Sequence, residues 1–372
     1  MKKVLFVATV LRGHLLVFHL PFMRWFQQRG YEVHVCARND TGKPADIPYC
    51  DHYHEIAFER SPLNPRNVRA YRELKRVIDE ENFAIIHCHT PVGGMLTRLA
   101  ARSARRRGAK VLYTAHGFHF FTGAPMKNWL LFYPAERLLA RYTDVLVTIN
   151  QEDYARASRF PAKRVEYVPG VGIDLSRFHG QEQPDRALFD ALGVAPDEPA
   201  VMAVGEFIPR KNHQTLLRAF AKLHHPKAKL LLCGVGEKTD ELQALARELG
   251  IENRVLFLGF RRDVEKLLPL AQVFAFPSLQ EGLPVSVMEA MACGLPCVVS
   301  RVRGNADLIV QGKSGMLRAP LDADGFAQDL DALLDCPALR TEMGAYNRRA
   351  VSAYGLDEIL RRMGDIYQSL ER

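Results

Sequence analysis

Two acids, Glu281 and Glu289, flank the turn Gly282-Leu283-Pro284 within the run Pro277-Ser278-Leu279-Gln280-Glu281. The run continues through Ala290-Met291-Ala292-Cys293-Gly294 to Pro296. It reads as a strand end, a glycine-containing loop, a helix with Pro284 in its first turn, and Gly294 as its stop. Acids placed this way could hold the vicinal hydroxyls of a ligand, while Gly282 lets phosphates approach the N–H groups at the helix start. The alternative is a paired helix glutamate and an exposed loop glutamate, which leaves their position around the turn unexplained.

A second constellation lies upstream, in Gly205-Glu206-Phe207-Ile208-Pro209-Arg210-Lys211-Asn212-His213. It follows an apolar run at 201–204 and precedes helical periodicity over 214–223. A strand, a glycine turn and adjacent cations at a helix start gather positive charge and backbone N–H groups suited to phosphate or diphosphate. The competing reading is an ordinary turn whose cations are solvated. Gly234-Val235-Gly236 follows the next apolar run and is a place where backbone can come close to a ligand. As a motif it is weak, because the full G-x-G-x-x-G fingerprint is absent from both halves.

Histidines supply a third set. His116 follows a predicted strand over 110–115 at its carboxyl end, and it reads as a general base or as a packed structural residue. His14, His19 and His119 are weaker candidates for an acceptor side. Asp322-Ala323-Asp324 resembles a D-x-D metal pair, but it precedes helical periodicity, where acids are favoured for electrostatic reasons. No metal site is expected.

These residues need elements to position them. Strands are predicted over 4–10, 32–37, 84–88, 110–115, 144–149 and 164–168, with helical periodicity over 16–29, 66–81, 92–107 and 129–141. Continuous apolar strands alternating with amphipathic helices imply a parallel sheet covered on both faces. The pattern breaks at Pro169-Gly170-Val171-Gly172 and an irregular polar stretch to about 199. It restarts with strands over 201–204, 229–233, 254–258, 273–276 and 296–299, followed by helices over 322–334, 337–350 and 356–370. The expected architecture is α/β, with two Rossmann-like, doubly wound domains facing a central cleft, over 1–170 and 171–355. A helix at about 356–372 is expected to pack back on the first domain, and the Pro/Gly junction suggests a hinge.

The 372-residue chain is 48% hydrophobic and 25% charged, which excludes extensive disorder and a disulfide scaffold. Its seven cysteines form no C-x-x-C pair, consistent with a reducing, cytoplasmic setting. The apolar start after Met1-Lys2-Lys3 is interrupted by Arg12 and His14, which favours a buried strand over a signal peptide. Charge is uneven: residues 1–170 carry a net +11 and the rest −3. A basic half suggests an anionic surface or partner.

In sequence, E-G-L-P-x-S-x-x-E-A-M-A-x-G-x-P at 281–296 resembles the E-x7-E motif of retaining glycosyltransferases of family 4, which have the GT-B fold. G-E-F-x-P-R-K-N-H at 205–213, L-C-G-x-G at 232–236, F-L-G-F-R-R-D-V at 257–264 and S-x-x-x-G-N-A-D-L-I at 300–309 extend the likeness. F-H-L-P-F at 18–22 and T-A-H-G-F-H-F at 114–120 are similar to the branch that builds capsule and exopolysaccharide. The resemblance implies a nucleotide-sugar donor, a UDP-sugar by expectation, held by the second domain with no separate cofactor. It implies ribose hydroxyls on Glu289, sugar hydroxyls near Glu281, and the diphosphate on Lys211, Arg210 and the N–H groups of Gly282 and Leu283. The base would lie near Phe260 and Arg262. His116 would position the donor sugar from the first domain. Many relatives carry arginine after the glycine of the phosphate turn, where this chain has Glu206, so Arg210 and Lys211 are left with the cationic role.

The basic half then gains an expected use. Arg98, Arg102, Arg105, Arg106 and Arg107 lie on one helix, as a solvated face or a contact surface. Trp129-Leu130-Leu131-Phe132-Tyr133, flanked by Lys127, Arg137 and Arg141, reads as core or as a bilayer-facing stripe. The expectation is a metal-independent transferase acting on a glycan or polyprenyl-diphosphate-linked acceptor, with peripheral contact at the inner face of the membrane. Rivals are a UDP-sugar epimerase and a non-catalytic nucleotide-sugar-binding module. The basic half has no recognisable nucleic-acid motif.

Overall fold

A computed structural model of the chain describes residues 1–178, 186–195 and 197–371. The chain forms two compact units, Met1–Gly172 with Asp357–Arg372, and Ile173–Leu356. The C-terminal helix, Leu356–Leu370, thus belongs almost entirely to the first unit.

The first unit is built on seven strands, β1 (Lys3–Val10), β2 (Glu32–Arg38), β3 (His52–Glu55), β4 (Ile85–His89), β5 (Lys110–Ala115), β6 (Val145–Thr148) and β7 (Arg164–Tyr167). All pair in parallel, in the order β3-β2-β1-β4-β5-β6-β7. Alternation along a strand divides the core into two layers. Leu5 and Val7 join Ile86, Val111 and the helix Arg66–Glu81 on one face, while Val4 and Phe6 join Val33, Val35 and the helix Leu20–Gln27 on the other. The C-terminal helix covers this second face with Ile359, Met363, Ile366 and Tyr367, an i, i+4, i+7, i+8 stripe. The Tyr367 hydroxyl meets His87 Nδ1 at 2.9 Å inside that layer.

The second unit has six strands, β8 (Ala200–Val204), β9 (Lys229–Cys233), β10 (Val255–Gly259), β11 (Val273–Phe276), β12 (Cys297–Ser300) and β13 (Gly315–Arg318), again all parallel. Their order is β10-β9-β8-β11-β12-β13. In each sheet the strand order reverses beside the first strand, at β1/β4 and at β8/β11. Open α/β sheets bind ligands at such switch points, outside the carboxyl ends of the strands.

Several expectations are corrected. The helix read over 16–29 is split into a short helix (Leu16–Phe18) and Leu20–Gln27, because Pro21 cannot donate to the preceding turn, and a π-turn (Leu11–Leu15) leads into it. The helix read over 92–107 divides at Ala101 into Pro91–Ala100 and Arg102–Arg106. The stretch read as irregular to about 199 contains a helix, Arg186–Leu192, and its residues 179–185 and 196 lie outside the described residues. Strands β3 and β13 were not expected. Each sits at a sheet edge, and Gly315 allows β13 to close on β12, since a Cβ there would lie 1.9 Å from the Cys297 carbonyl oxygen.

Candidate functional site

In the second unit the loops leaving β8 and β11 meet at the switch point. Asn212 fastens them: in the left-handed conformation (φ 55°), its Nδ2 donates to the carbonyls of Pro277, at 2.9 Å, and Pro320, at 2.7 Å. Leu279 N–H donates to the Arg210 carbonyl at 2.8 Å. This brings the two sequence constellations into one. Glu281 Oε1 accepts from Lys211 Nζ and from Arg210 Nη1, both at 2.9 Å, and from the Ser278 hydroxyl.

Glu281 is therefore not the exposed loop acid of the alternative reading, being only 6% exposed. Its backbone carbonyl accepts from Arg303 Nε at 2.9 Å, and Gly304 lets the next loop press in, since a Cβ there would sit 2.3 Å from the Gly282 oxygen. Lys211 lies over the Phe276 ring, 4.6 Å from its centroid. Burial, with the Arg210 charge beside it, pulls the Lys211 pKa down against the opposing pull of Glu281. Arg210 is more exposed than Lys211 and also donates to the Gln280 carbonyl, at 3.0 Å. Two cations are thus held in place by one buried carboxylate at a strand-end crevice, an arrangement with the charge and donors suited to an anion such as a diphosphate.

Glu289 has a different setting. It lies on the helix Val285–Ala292, for which Pro284 is the extended N-cap residue rather than the first helical one. Burial pushes its carboxyl up to about 7; Arg177 opposes this and Glu265 adds to it. Arg177 is itself engaged with Glu265 at 2.8 Å. Leu283 is buried at the helix entry and Gly282 is partly exposed. Gly205 and the exposed Glu206 follow β8. Phe260, 67% exposed, and Arg262, also exposed, follow β10, with Arg261 between them paired to Asp263.

The G-x-G turn has a structural reason to lack side chains. A Cβ on Gly234 would lie 1.9 Å from the Gly205 oxygen, and one on Gly236 would lie 2.4 Å from the Phe207 oxygen. The close approach at this turn is made by the neighbouring backbone of the Gly205–Phe207 loop, which the turn supports. The D-x-D pair is engaged otherwise as well: Asp322 caps its helix through the Gly325 N–H at 2.8 Å, and Asp324 pairs with Lys222.

In the first unit, histidines gather at the carboxyl ends of β1, β4 and β5. His14 lies in the π-turn after β1, His19 just before the next helix, His89 at the end of β4, and His116 directly after β5. His14 and His19 approach through their Nε2 atoms at 3.2 Å, and His116 Nε2 lies 3.3 Å from His89 Nδ1. Burial drives His116, His19 and His89 well below the usual imidazole range and His14 down to about 4, so all four are neutral at pH 7. His119 does not join them: its ring stacks on Phe132 at 4.7 Å. His89 was missed in the sequence although His87-Cys88-His89 in a buried strand places both imidazoles on one face.

The basic helix is mostly accounted for internally. Arg98 is fully buried against Glu136 at 2.8 Å and over the Tyr113 ring, Arg105 forks onto Asp144 at 2.8 and 2.9 Å, and Arg107 pairs with Asp79. Arg98 and Arg105 are thereby drawn inward, while Arg102, Arg106 and Arg107 are exposed. The helix Met126–Leu139 instead divides its aromatic and aliphatic residues: Trp129, Phe132 and Tyr133 pack on the core, while Met126, Leu130, Leu131 and Leu138 are exposed. Among the described residues, no helix is long and apolar enough to cross a membrane.

Residues 21–177 match the family described as Glycosyltransferase Family 4, and residues 185–350 match Glycosyl transferases group 1. The chain is 41% identical to "Putative glycosyltransferase EpsD" of Bacillus subtilis (strain 168), over 99% of this chain and 97% of that one. It is 26% identical to the UDP-Gal:alpha-D-GlcNAc-diphosphoundecaprenol alpha-1,3-galactosyltransferase of Escherichia coli, over 82% of each. The fold is similar to that of Anabaena HepE, crystallised with UDP and glucose, with a TM-score of 0.81, 19% identity and coverage of 99% of this chain and 100% of that one. The matched families, the EpsD likeness along nearly the whole chain and the two parallel sheets agree: this chain belongs to the family 4 glycosyltransferases of GT-B fold.

Proposed function

We propose that the protein is a retaining glycosyltransferase that moves a hexose or N-acetylhexosamine from a UDP-sugar to a glycan or polyprenyl-diphosphate-linked glycan in cell-surface polysaccharide synthesis. The observation that carries this reading is the joint hold of Glu281 on Lys211 and Arg210 at the β8/β11 switch point. In the transfer, the bond from the anomeric carbon to the diphosphate breaks with its electron pair leaving on UDP, the acceptor hydroxyl oxygen bonds to that carbon, and the hydroxyl proton passes to the departing diphosphate oxygen. Negative charge grows on the leaving group, where Lys211, Arg210 and the N–H groups around Gly282 and Leu283 stabilise it. Fixed donors of this kind contribute about 3 kcal/mol each in oxyanion sites. Glu289 takes the ribose hydroxyls, Phe260 and Arg262 lie on the base side, and His116 positions the sugar. The donor and acceptor classes are supported by the relatives named above, one a UDP-galactose enzyme acting on a diphosphoundecaprenol-linked sugar.

A panel of UDP-sugars, with product mass and UDP release both measured, tests this against the rivals. Transfer that depends on acceptor is expected, and it falls about 100-fold in Lys211→Ala. Sugar isomerisation without acceptor would support an epimerase, and UDP binding without turnover would support a binding module.

A membrane-linked acceptor is supported by the exposed stripe Leu130, Leu131 and Leu138 beside Lys127, Arg137 and Arg141. By unit, the charge is +10 for the first and −2 for the second, counted over the residues of each. Flotation with anionic vesicles is expected to capture the wild type, and Leu130→Glu with Leu131→Glu to abolish capture. Absence of wild-type capture at physiological salt would remove the membrane part while leaving the transfer reaction standing.

A further inference from the structure

The four histidines at the strand ends of the first unit do more than the positioning role given to His116 requires. Each offers one ring nitrogen, and these atoms all lie within 4.8 Å of one another. A tetrahedral zinc with Zn–N bonds of about 2.0–2.1 Å has ligand–ligand edges of about 3.3 Å. The two measured pairs, His14 with His19 at 3.2 Å and His89 with His116 at 3.3 Å, already have that spacing. A fifth imidazole nearby, His87, is committed elsewhere, with Nε2 on Thr114 and Nδ1 on Tyr367, both at 2.9 Å.

We propose that His14, His19, His89 and His116 form a binding site for a transition-metal dication of the zinc class. The inference is independent of the donor reading, because binding is measured without donor or acceptor.

Three features set its character. The set is all nitrogen, which suits Zn²⁺, Co²⁺, Ni²⁺ or Cu²⁺ and excludes Mg²⁺ and Ca²⁺, which take oxygen ligands. His116 is less buried than the other three and gives a route in. Among the described residues no carboxylate or thiolate joins the set to offset the charge, and Nδ1 of His19 and Nε2 of His89 meet no hydrogen-bond partner to strengthen their hold. The expected affinity is therefore micromolar, that of a site that fills and empties rather than a permanent structural zinc. When filled, the metal takes the lone pair of His116; this one consequence rests on the role proposed for that residue above, under which occupancy and transferase activity oppose one another.

The test uses the untagged full chain, stripped of metal, in competition with a chromophoric zinc chelator and, separately, with Co²⁺. One equivalent of Zn²⁺ per chain is expected, with Co²⁺ giving the intense visible bands of a tetrahedral nitrogen site. His19→Gln and His89→Gln are each expected to weaken binding at least tenfold, while His52→Gln, in the separate group Glu32, His34 and His52, changes nothing. X-ray absorption on zinc-loaded wild type, which needs no variant to fold, is expected to show a shell of four imidazole nitrogens. A stoichiometry that falls with His52→Gln but not with His89→Gln, an oxygen-dominated shell, or no binding up to millimolar Zn²⁺ would each overturn the proposal. Inhibition by Zn²⁺, reversed by chelator, is read separately and bears on the role of His116.

Discussion

Lys211 Nζ and Glu281 Oε1 meet at 2.9 Å across 70 residues of sequence, with the lysine 12% and the carboxylate 7% exposed at their side chains. The partnership makes the two residues separable by experiment. Removing the lysine takes away charge from the leaving group, so Lys211→Ala is expected to lower kcat by about 100-fold with a smaller change in stability. Removing the carboxylate leaves two cations facing each other, and Glu281→Ala is expected to cost about 3 kcal/mol of stability as well as activity. Urea unfolding beside steady-state kinetics distinguishes the two patterns. Equal kcat for Lys211→Ala and wild type would remove the lysine from the reaction.

Glu289 predicts a pH dependence. Its folded pKa, raised to about 7 by burial, lies above the unfolded carboxyl value, so the folded state holds its proton more tightly. Stability tied to this proton is present at low pH and is lost as pH rises through about 7. Glu289→Gln is therefore expected to be more stable than wild type at pH 8, with the gap closing toward pH 5. Arg177, Glu265 and Cys293 are the charged and titratable groups that interact with it, and burial pushes the Cys293 thiol up to about 12, outside this range. If the carboxylate accepts the ribose hydroxyls, donor affinity rises between pH 6 and pH 8 in wild type and stays level in the variant. Calorimetric titration of a UDP-sugar at several pH values measures both curves.

Gly234 supports the cation loop by allowing contact. Gly234→Ala places a methyl group 1.9 Å from the Gly205 oxygen, so one strand-end turn has to move. A loss of about 3 kcal/mol is expected, with weaker donor binding because Lys211 shares the displaced loop. Gly30→Ala is a control for backbone strain alone, since nothing lies within 4 Å of its Cβ position and its φ is 76°. Thermal melts of both variants, with and without UDP, separate crowding from strain.

The C-terminal helix is held partly by one hydroxyl. Tyr367→Phe removes the partner of His87 Nδ1 in a fully buried layer, at an expected cost of about 1–3 kcal/mol. Unfolding of the variant by urea, followed by tryptophan fluorescence, measures it, because Trp25 packs 5.3 Å from the Tyr367 ring. An unchanged midpoint would mean that water replaces the tyrosine hydroxyl.

Strands β5, β9 and β11 were legible to the residue because each is a local apolar run bounded by turn residues, and burial on both faces of a parallel sheet demands such a run. The helix Arg66–Glu81 and the last helix were equally plain, since an amphipathic stripe is a property of the segment itself. The sequence by itself also determined the two α/β units, the Gly-Leu-Pro turn between two acids and the adjacent cations. Edge strands β3 and β13 were hidden because His52–Glu55 and Gly315–Arg318 owe their extension to a neighbour's unpaired backbone groups rather than to their own composition. Tertiary structure alone decided that Arg210, Lys211 and Glu281 are one constellation, that Gly234 yields to backbone rather than ligand, and that Arg98 is buried instead of facing outward. It also decided that His89 joins His14, His19 and His116. The reason is common to all of these: pairing order within a sheet brings the ends of distant strands together, and charge, burial and hydrogen bonding act through space where sequence spacing carries no measure of distance.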